Sequence, residues 1–304
     1  MTEFLQIDFP ALVTGTLAAL VCSLIGNFLV LTRQSMLGDA IGHVMLPGVV
    51  IAFIIDGTVA TLPMLLGAAG AALATALLVE FLRRVAGVEF SAALGAVFTA
   101  FFALGVVLLE QTGIARTTFD VHHILYGNVE GAIWPAATGA ASLVDPQVLS
   151  SLPPQIGRLA PGVAAVAVII AVCFKELRLV SFDPTFAATL GLSPRIIGAL
   201  ITILAAFAAV VSLEAVGVIL VVAMMVCPPA TARMLTDDLR TQVLISAAVA
   251  VASGILGYSI AAFVPSLLGF DLSLGAAGTI AVVAGLFQLA AMIAGPKRGI
   301  PRPA

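Results

Sequence analysis

Apolar residues run in long blocks along this chain, and charged residues gather in the gaps between them. The blocks cover about 11–31, 38–56, 61–82, 91–110, 161–177, 195–213, 215–235, 242–264 and 273–294. About 20 apolar residues suffice to cross the hydrocarbon core of a bilayer. In lipid the backbone must satisfy its own hydrogen bonds, so each block is expected to be a helix. The stretch 195–235 is too long for one helix, since at about 1.5 Å per residue it would reach roughly twice the hydrocarbon thickness. Ser212, Glu214 and Gly217 mark a turn that divides it. The pattern predicts an all-α, polytopic transmembrane bundle of about nine spans, with residues 1–304 forming one transmembrane domain.

Composition agrees with this reading. Of 304 residues, 61% are hydrophobic and 10% charged, against about 25% charged in soluble domains. Mean hydropathy is +1.19. The net charge of −3 offers nothing to attract a nucleic acid. The first ten residues, MTEFLQIDFP, carry Glu3 and Asp8 but no Lys or Arg, so the first block is expected to be a retained span rather than a cleaved signal. Cys22, Cys173 and Cys227 lie inside apolar runs without paired spacing and read as small buried hydrophobes. A metal role for Cys227, in Cys-Pro-Pro, is the lesser alternative.

Charge also orients the chain. With nine spans and the N-terminus outside, Arg33, Arg83, Arg84, Lys175, Arg178, Arg195, Arg233, Arg240, Lys297, Arg298 and Arg302 fall on one side, and only Arg116 and Arg158 on the other. Positive residues are retained on the cytoplasmic side, so the expected orientation in a bacterial plasma (inner) membrane is N-out, C-in. Segment 111–160 then lies outside, with Trp134 and four prolines, as a partly re-entrant cap or a docking surface.

The segment 181–194 should hold a short, rigid cytoplasmic helix. Asp183 can cap a helix opened by Pro184, Gly191 can end it, and Ser193-Pro194 repeats the cap-and-proline start for the next span. Such a knob suits force transfer from a soluble partner. An ordinary well-capped loop is the plainer reading.

Candidate chemistry sits in the second span. Asp39 and His43 are four residues apart in GDAIGHVMLPGV and share one helix face. Carboxylate plus imidazole is a usable donor pair for manganese, iron or zinc. Pro47 lacks an N–H and frees the His43 carbonyl as a further acceptor or ligand. The alternative is an interfacial cap at Asp39 and a histidine bonded to a neighbour. Glu214 reads as a further ligand, a gate or a turn residue. Asp120, His122 and His123, on the outer side, read as entrance ligands or as solvated residues. Pro228 and Pro229 are expected to kink the seventh span. There is no GxxxxGK[ST] loop, no HExxH and no Ser-His pair, so the chain is not read as an enzyme or as an ATPase.

Four stretches together resemble the membrane-spanning subunits of manganese, zinc and iron ABC importers. These are GDAIGHVMLPGVVIAF (38–53), ILYGNV (124–129), FKELRLVSFDPTFAATLGL (174–192) and EAVGVILVVAMMVCPPATARML (214–235). The resemblance implies a permease with no intrinsic cofactor that passes a divalent metal. Its implied partners are a second permease subunit, two cytosolic ATPases that bind the ATP, and an extracytoplasmic metal-binding protein. It implies that Asp39 and His43 line the metal path. It also implies that Asp183, Pro184, Thr185, Phe186, Leu190 and Gly191 belong to the ATPase contact. The competing expectations are an ion-coupled secondary transporter, an ABC permease for a larger chelate such as a siderophore, and, least favoured, an intramembrane metalloprotease.

Overall fold

A computed structural model describes residues 2, 4–56, 61–111, 127, 129–137, 139, 142, 145–267 and 274–295. His122 and His123 lie outside the described residues. Among those described, the secondary structure is entirely helical.

A π-helical turn, Phe4–Asp8, leads into α1 (Phe9–Leu31). Then come α2 (Met36–Asp56), α3 (Thr61–Val85) and α4 (Phe90–Gln111). After the single turns Val129–Gly131 and Pro146–Leu149 follow α5 (Pro154–Val172), α6 (Phe174–Phe182) and α7 (Pro184–Thr189). The chain ends with α8 (Pro194–Leu235), α9 (Leu239–Leu267) and α10 (Ala276–Ala294). Counting the two arms of α8 separately, nine helices among the described residues are long and apolar enough to cross a membrane.

The fifth predicted span is displaced. Its helix starts at Pro154, not near Pro161, and ends at Val172 rather than 177. Of the prolines, Pro154 takes the favoured first-turn place, while Pro161 sits inside the helix. At Cys173 (φ −91°, ψ 16°) the helix breaks into the separate amphipathic α6.

The long stretch 194–235 divides as the length argument requires. Its one non-helical residue is Gly217 (φ 75°, ψ 170°), and helical dihedrals continue through Pro228 and Pro229. The two arms fold back on each other. Cys22 of α1 bonds Ser212 before the break, and Gly26, one turn further along α1, lies against Met225 after it. In a continuous helix those two partners would stand about 20 Å apart, against about 6 Å along α1.

α1 packs on α5, α8 and α9, and α8 also packs on α2, α9 and α10. A polar seam runs through this apolar interior. Ser23 and Ser246 are 3.1 Å apart, and the Gln242 Nε2 donates to Asn27 Oδ1 at 3.1 Å, all four residues being buried. At the end opposite the arginine-rich turns, Trp134 is fully buried with Leu5 and Ala137. Its indole N–H faces the Val148 carbonyl and the Ser151 hydroxyl, and its backbone N–H donates to Gln6. Glu130 accepts from the Ala276 N–H that opens α10, and the Tyr258 hydroxyl donates to Asp8.

The α7 knob forms as its punctuation predicts. Asp183 Oδ1 accepts from the Phe186 N–H at 2.8 Å. At the other end Gly191 is left-handed (φ 84°), with Gly191 N–H donating to Ala188 and Leu192 N–H to Ala187. That pair of bonds satisfies the terminal carbonyls in a Schellman arrangement. Ser193 stands at the start of α8, but its hydroxyl makes no cap hydrogen bond. Pro194 at the first helical position removes one of the unpaired N–H groups of that turn.

Candidate functional site

α2 carries the Asp39–His43 pair, and three neighbouring helices pack closely against its glycines and Pro47. Gly38 and Gly42 face α8. A Cβ at Gly38 would stand 2.6 Å from Met225 Sδ, and one at Gly42 2.7 Å from Val218 Cγ1. Gly48 meets Gly67 of α3, each against the other's carbonyl oxygen. Gly105 of α4 lies on Pro47, where a Cβ would come within 2.8 Å of the ring. At Gly48, Gly67 and Gly105 the facing atoms are backbone or the Pro47 ring, so a side chain there would push the helices apart, whereas at Gly38 and Gly42 the facing Met225 and Val218 side chains would have to shift.

With those faces closed, one remains open. His43 Nε2 lies 3.5 Å from Asp39 Oδ1, and the two side chains keep 28% and 42% of their exposure. They are therefore neither turned into dry packing nor sealed in. The pair also lies well inside the bundle: Met225, beside Gly38, is followed by ten more residues of α8, about 15 Å of helix. Asp39 occupies the first turn of α2, where the helix dipole favours a carboxylate.

The spacing suits a shared cation. Two donors each about 2.1 Å from one ion stand roughly 3.0–3.4 Å apart at octahedral or tetrahedral angles. A small side-chain adjustment from 3.5 Å closes that geometry. The pair supplies two donors only, and the described residues contain no group of three or more His, Cys, Asp or Glu placed to hold a metal. An ion here would need water, the freed His43 carbonyl or a donor from another chain.

Of the other predicted residues, Glu214 lies in α8, three residues before Gly217 and four before Val218, which packs on Gly42. The α7 residues lie at a separate surface. Phe186 and Leu190 are half-exposed, and only Ala187 is buried in that helix.

Two contacts were not visible in the sequence. The His43 ring stands 5.7 Å from Phe98 and 5.3 Å from Phe102, the latter edge-on at 81°. Gly127, from the Leu-Tyr-Gly-Asn stretch, lies directly on the Val216–Gly217 peptide. The four-residue spacing of Phe98 and Phe102 matches that of Asp39 and His43. With 17 phenylalanines in the chain, that spacing alone singles out nothing.

The sequence matches the ABC 3 transport family over residues 1–133 and 147–295. The chain belongs to that family. It is a multi-pass membrane protein of the transporting kind, not an enzyme. It is 36% identical to the manganese transport system membrane protein MntD of Bacillus subtilis, over 94% of this chain and 92% of that protein. A Haemophilus influenzae protein named "Probable iron transport system membrane protein" is 32% identical over 84% of this chain and 86% of its own length. Among solved structures, PsaBC from Streptococcus pneumoniae in complex with Fab superposes with a TM-score of 0.74 at 27% identity. That likeness covers 95% of this chain and 91% of that one.

Proposed function

We propose that this chain is the membrane-spanning permease of an ATP-driven divalent metal importer, with manganese as the first expected cargo. The observation that carries the reading is the Asp39–His43 pair, open on one side and held at near-ligand spacing in a chain of a transport family. Manganese is favoured by the name of the MntD relative and by ligand type. Carboxylate and imidazole without a nearby thiolate lean toward manganese or iron, with zinc also compatible.

The pair is half a site. A second permease subunit, a copy of this chain or a close relative, supplies the remaining donors across the open face of α2. Cargo is delivered by an extracytoplasmic metal-binding protein that docks near segment 111–160, with His122 and His123 as entrance ligands. Glu214, beside the α8 break, acts at the outer gate. With the arginine-rich end cytoplasmic and the N-terminus outside, α7 projects toward two cytosolic ATPases. Asp183 and Pro184 open that helix, Gly191 closes it, and Thr185, Phe186 and Leu190 meet the partner. A well-capped helix transmits displacement that a slack loop would absorb.

Asp39→Ala tests the site. It should abolish metal uptake while co-purification with the ATPase persists, and normal uptake by that variant refutes the assignment. Deleting the gene and measuring cellular manganese, iron and zinc under limitation identifies the cargo. No change in any of the three would count against an importer. Transport that persists without any ATPase would favour an ion-coupled carrier instead.

A further inference from the structure

We propose that Phe98 and Phe102 are positioning residues that orient the His43 imidazole toward the Asp39 carboxylate. The proposal rests on the reading of Asp39 and His43 as cargo ligands.

A metal-bound histidine usually donates its second ring N–H to a carboxylate, a carbonyl or water, which fixes the ring and makes it a stronger donor. His43 Nε2 stands 3.5 Å from Asp39 Oδ1, and two phenylalanine rings pack on the imidazole. Phe98 stands at 5.7 Å and 44°, and Phe102 at 5.3 Å and 81°. Both lie within the separations at which aromatic rings prefer tilted or edge-on contact.

The clamp is set by backbone, not by chance rotamers. Phe98 and Phe102 are one turn apart on α4, and Gly105 seats α4 directly on Pro47, one turn beyond His43 on α2. With both rings of α4 against the imidazole, Nε2 is directed at the Asp39 carboxylate.

The two kinds of outer shell differ in consequence. A hydrogen-bonded partner both orients a histidine and strengthens its hold on the ion. Aromatic contacts orient it without adding basicity. A transport site must bind well enough to load and weakly enough to release. Aromatic orientation serves the first condition without working against the second.

The test uses the complete transporter in proteoliposomes, with ATP and Mn²⁺. Phe98→Leu and Phe102→Leu keep apolar bulk and remove the rings, while Phe102→Tyr keeps a ring. Loss of outer-shell partners typically weakens metal binding by about 10–100-fold. Each leucine variant should raise the Mn²⁺ concentration for half-maximal uptake by about tenfold. ATPase co-purification should stay unchanged, and Phe102→Tyr should stay near wild type. Phe102 is 38% exposed, so its leucine variant is expected to fold and decides the matter if Phe98→Leu does not assemble. Unchanged half-saturation in Phe102→Leu, with His43→Ala inactive, overturns the clamp and leaves the site standing. A fall in maximal rate alone, not rescued by tyrosine, marks a packing role and also overturns it. Wild-type uptake by His43→Ala removes the site reading itself.

Discussion

Gly127 and Gly217 touch, and both hold positive φ, 71° and 75°. The first lies on the face opposite the arginine-rich end, and the second is the reversal between the two arms of α8. With ψ at 170°, Gly217 occupies a region essentially closed to residues with a Cβ. Gly127 has no room for one, since it would fall on the Val216–Gly217 peptide.

Gly217→Ala should therefore destabilise the protein by about 1–3 kcal/mol from backbone strain. Gly127→Ala should add steric overlap to a smaller strain and be at least as harmful to the packing of the loop. Thermal unfolding in detergent measures both. A Gly127→Ala protein melting within a degree of wild type would mean that the loop and α8 separate without cost.

The helices were legible because lipid leaves the backbone no alternative, and a run such as 38–56 declares itself by length. The Asp183 cap and the Gly191 stop were legible for the same local reason, since both act within a few residues. The start of α5 was not, because Pro154 and Pro161 offer the same signal and only tertiary packing chooses between them. Asp39 and His43 were legible as a pair through helical spacing. Their depth and their aromatic neighbours were not, because these depend on where Gly38 and Gly42 let α2 settle on α8. Nothing in the order of residues states that Gly127 closes on Gly217, about ninety residues away.

Gly42→Ala should displace the site helix. Its Cβ would stand 2.7 Å from Val218 Cγ1, and overpacking of this kind costs about 1–3 kcal/mol. Because His43 is the next residue, uptake should fall with stability. Val218→Ala opens the space that the new methyl needs. The double variant Gly42→Ala/Val218→Ala should recover metal uptake relative to Gly42→Ala. Equal uptake defects in the single and double variants would show that the Gly42 contact does not set the position of α2.

Asp183→Ala removes the side-chain acceptor at the start of α7, worth about 1 kcal/mol for a helix cap. The knob is only six residues long, so fraying of its first turn affects most of it. Metal-stimulated ATP hydrolysis by the assembled complex should drop, and Asp183→Ser, which also caps, should retain it. If alanine and serine behave alike, the cap plays no part in coupling.

Asn27 and Gln242 offer a measurement of how the interior is held. Gln242 Nε2 donates to Asn27 Oδ1 at 3.1 Å, and Asn27 Nδ2 returns to the Ser23 carbonyl of its own helix at 2.8 Å. Hydrogen bonds between membrane helices average about 0.6 kcal/mol and reach about 1.7. The net bond is thus small, while leaving one buried partner unsatisfied costs about 1–3 kcal/mol. Gln242→Met strands the Asn27 oxygen between α1 and α9 but also removes the buried, unpartnered Gln242 Oε1, so its loss should stay near the worth of the bond. Adding Asn27→Leu removes the stranded group, and the double variant should be no less stable than Gln242→Met alone. A double-mutant cycle followed by unfolding in mixed micelles reads the coupling directly. If the two single losses simply add, the contact contributes no pairing energy, and apolar packing alone joins α1 to α9.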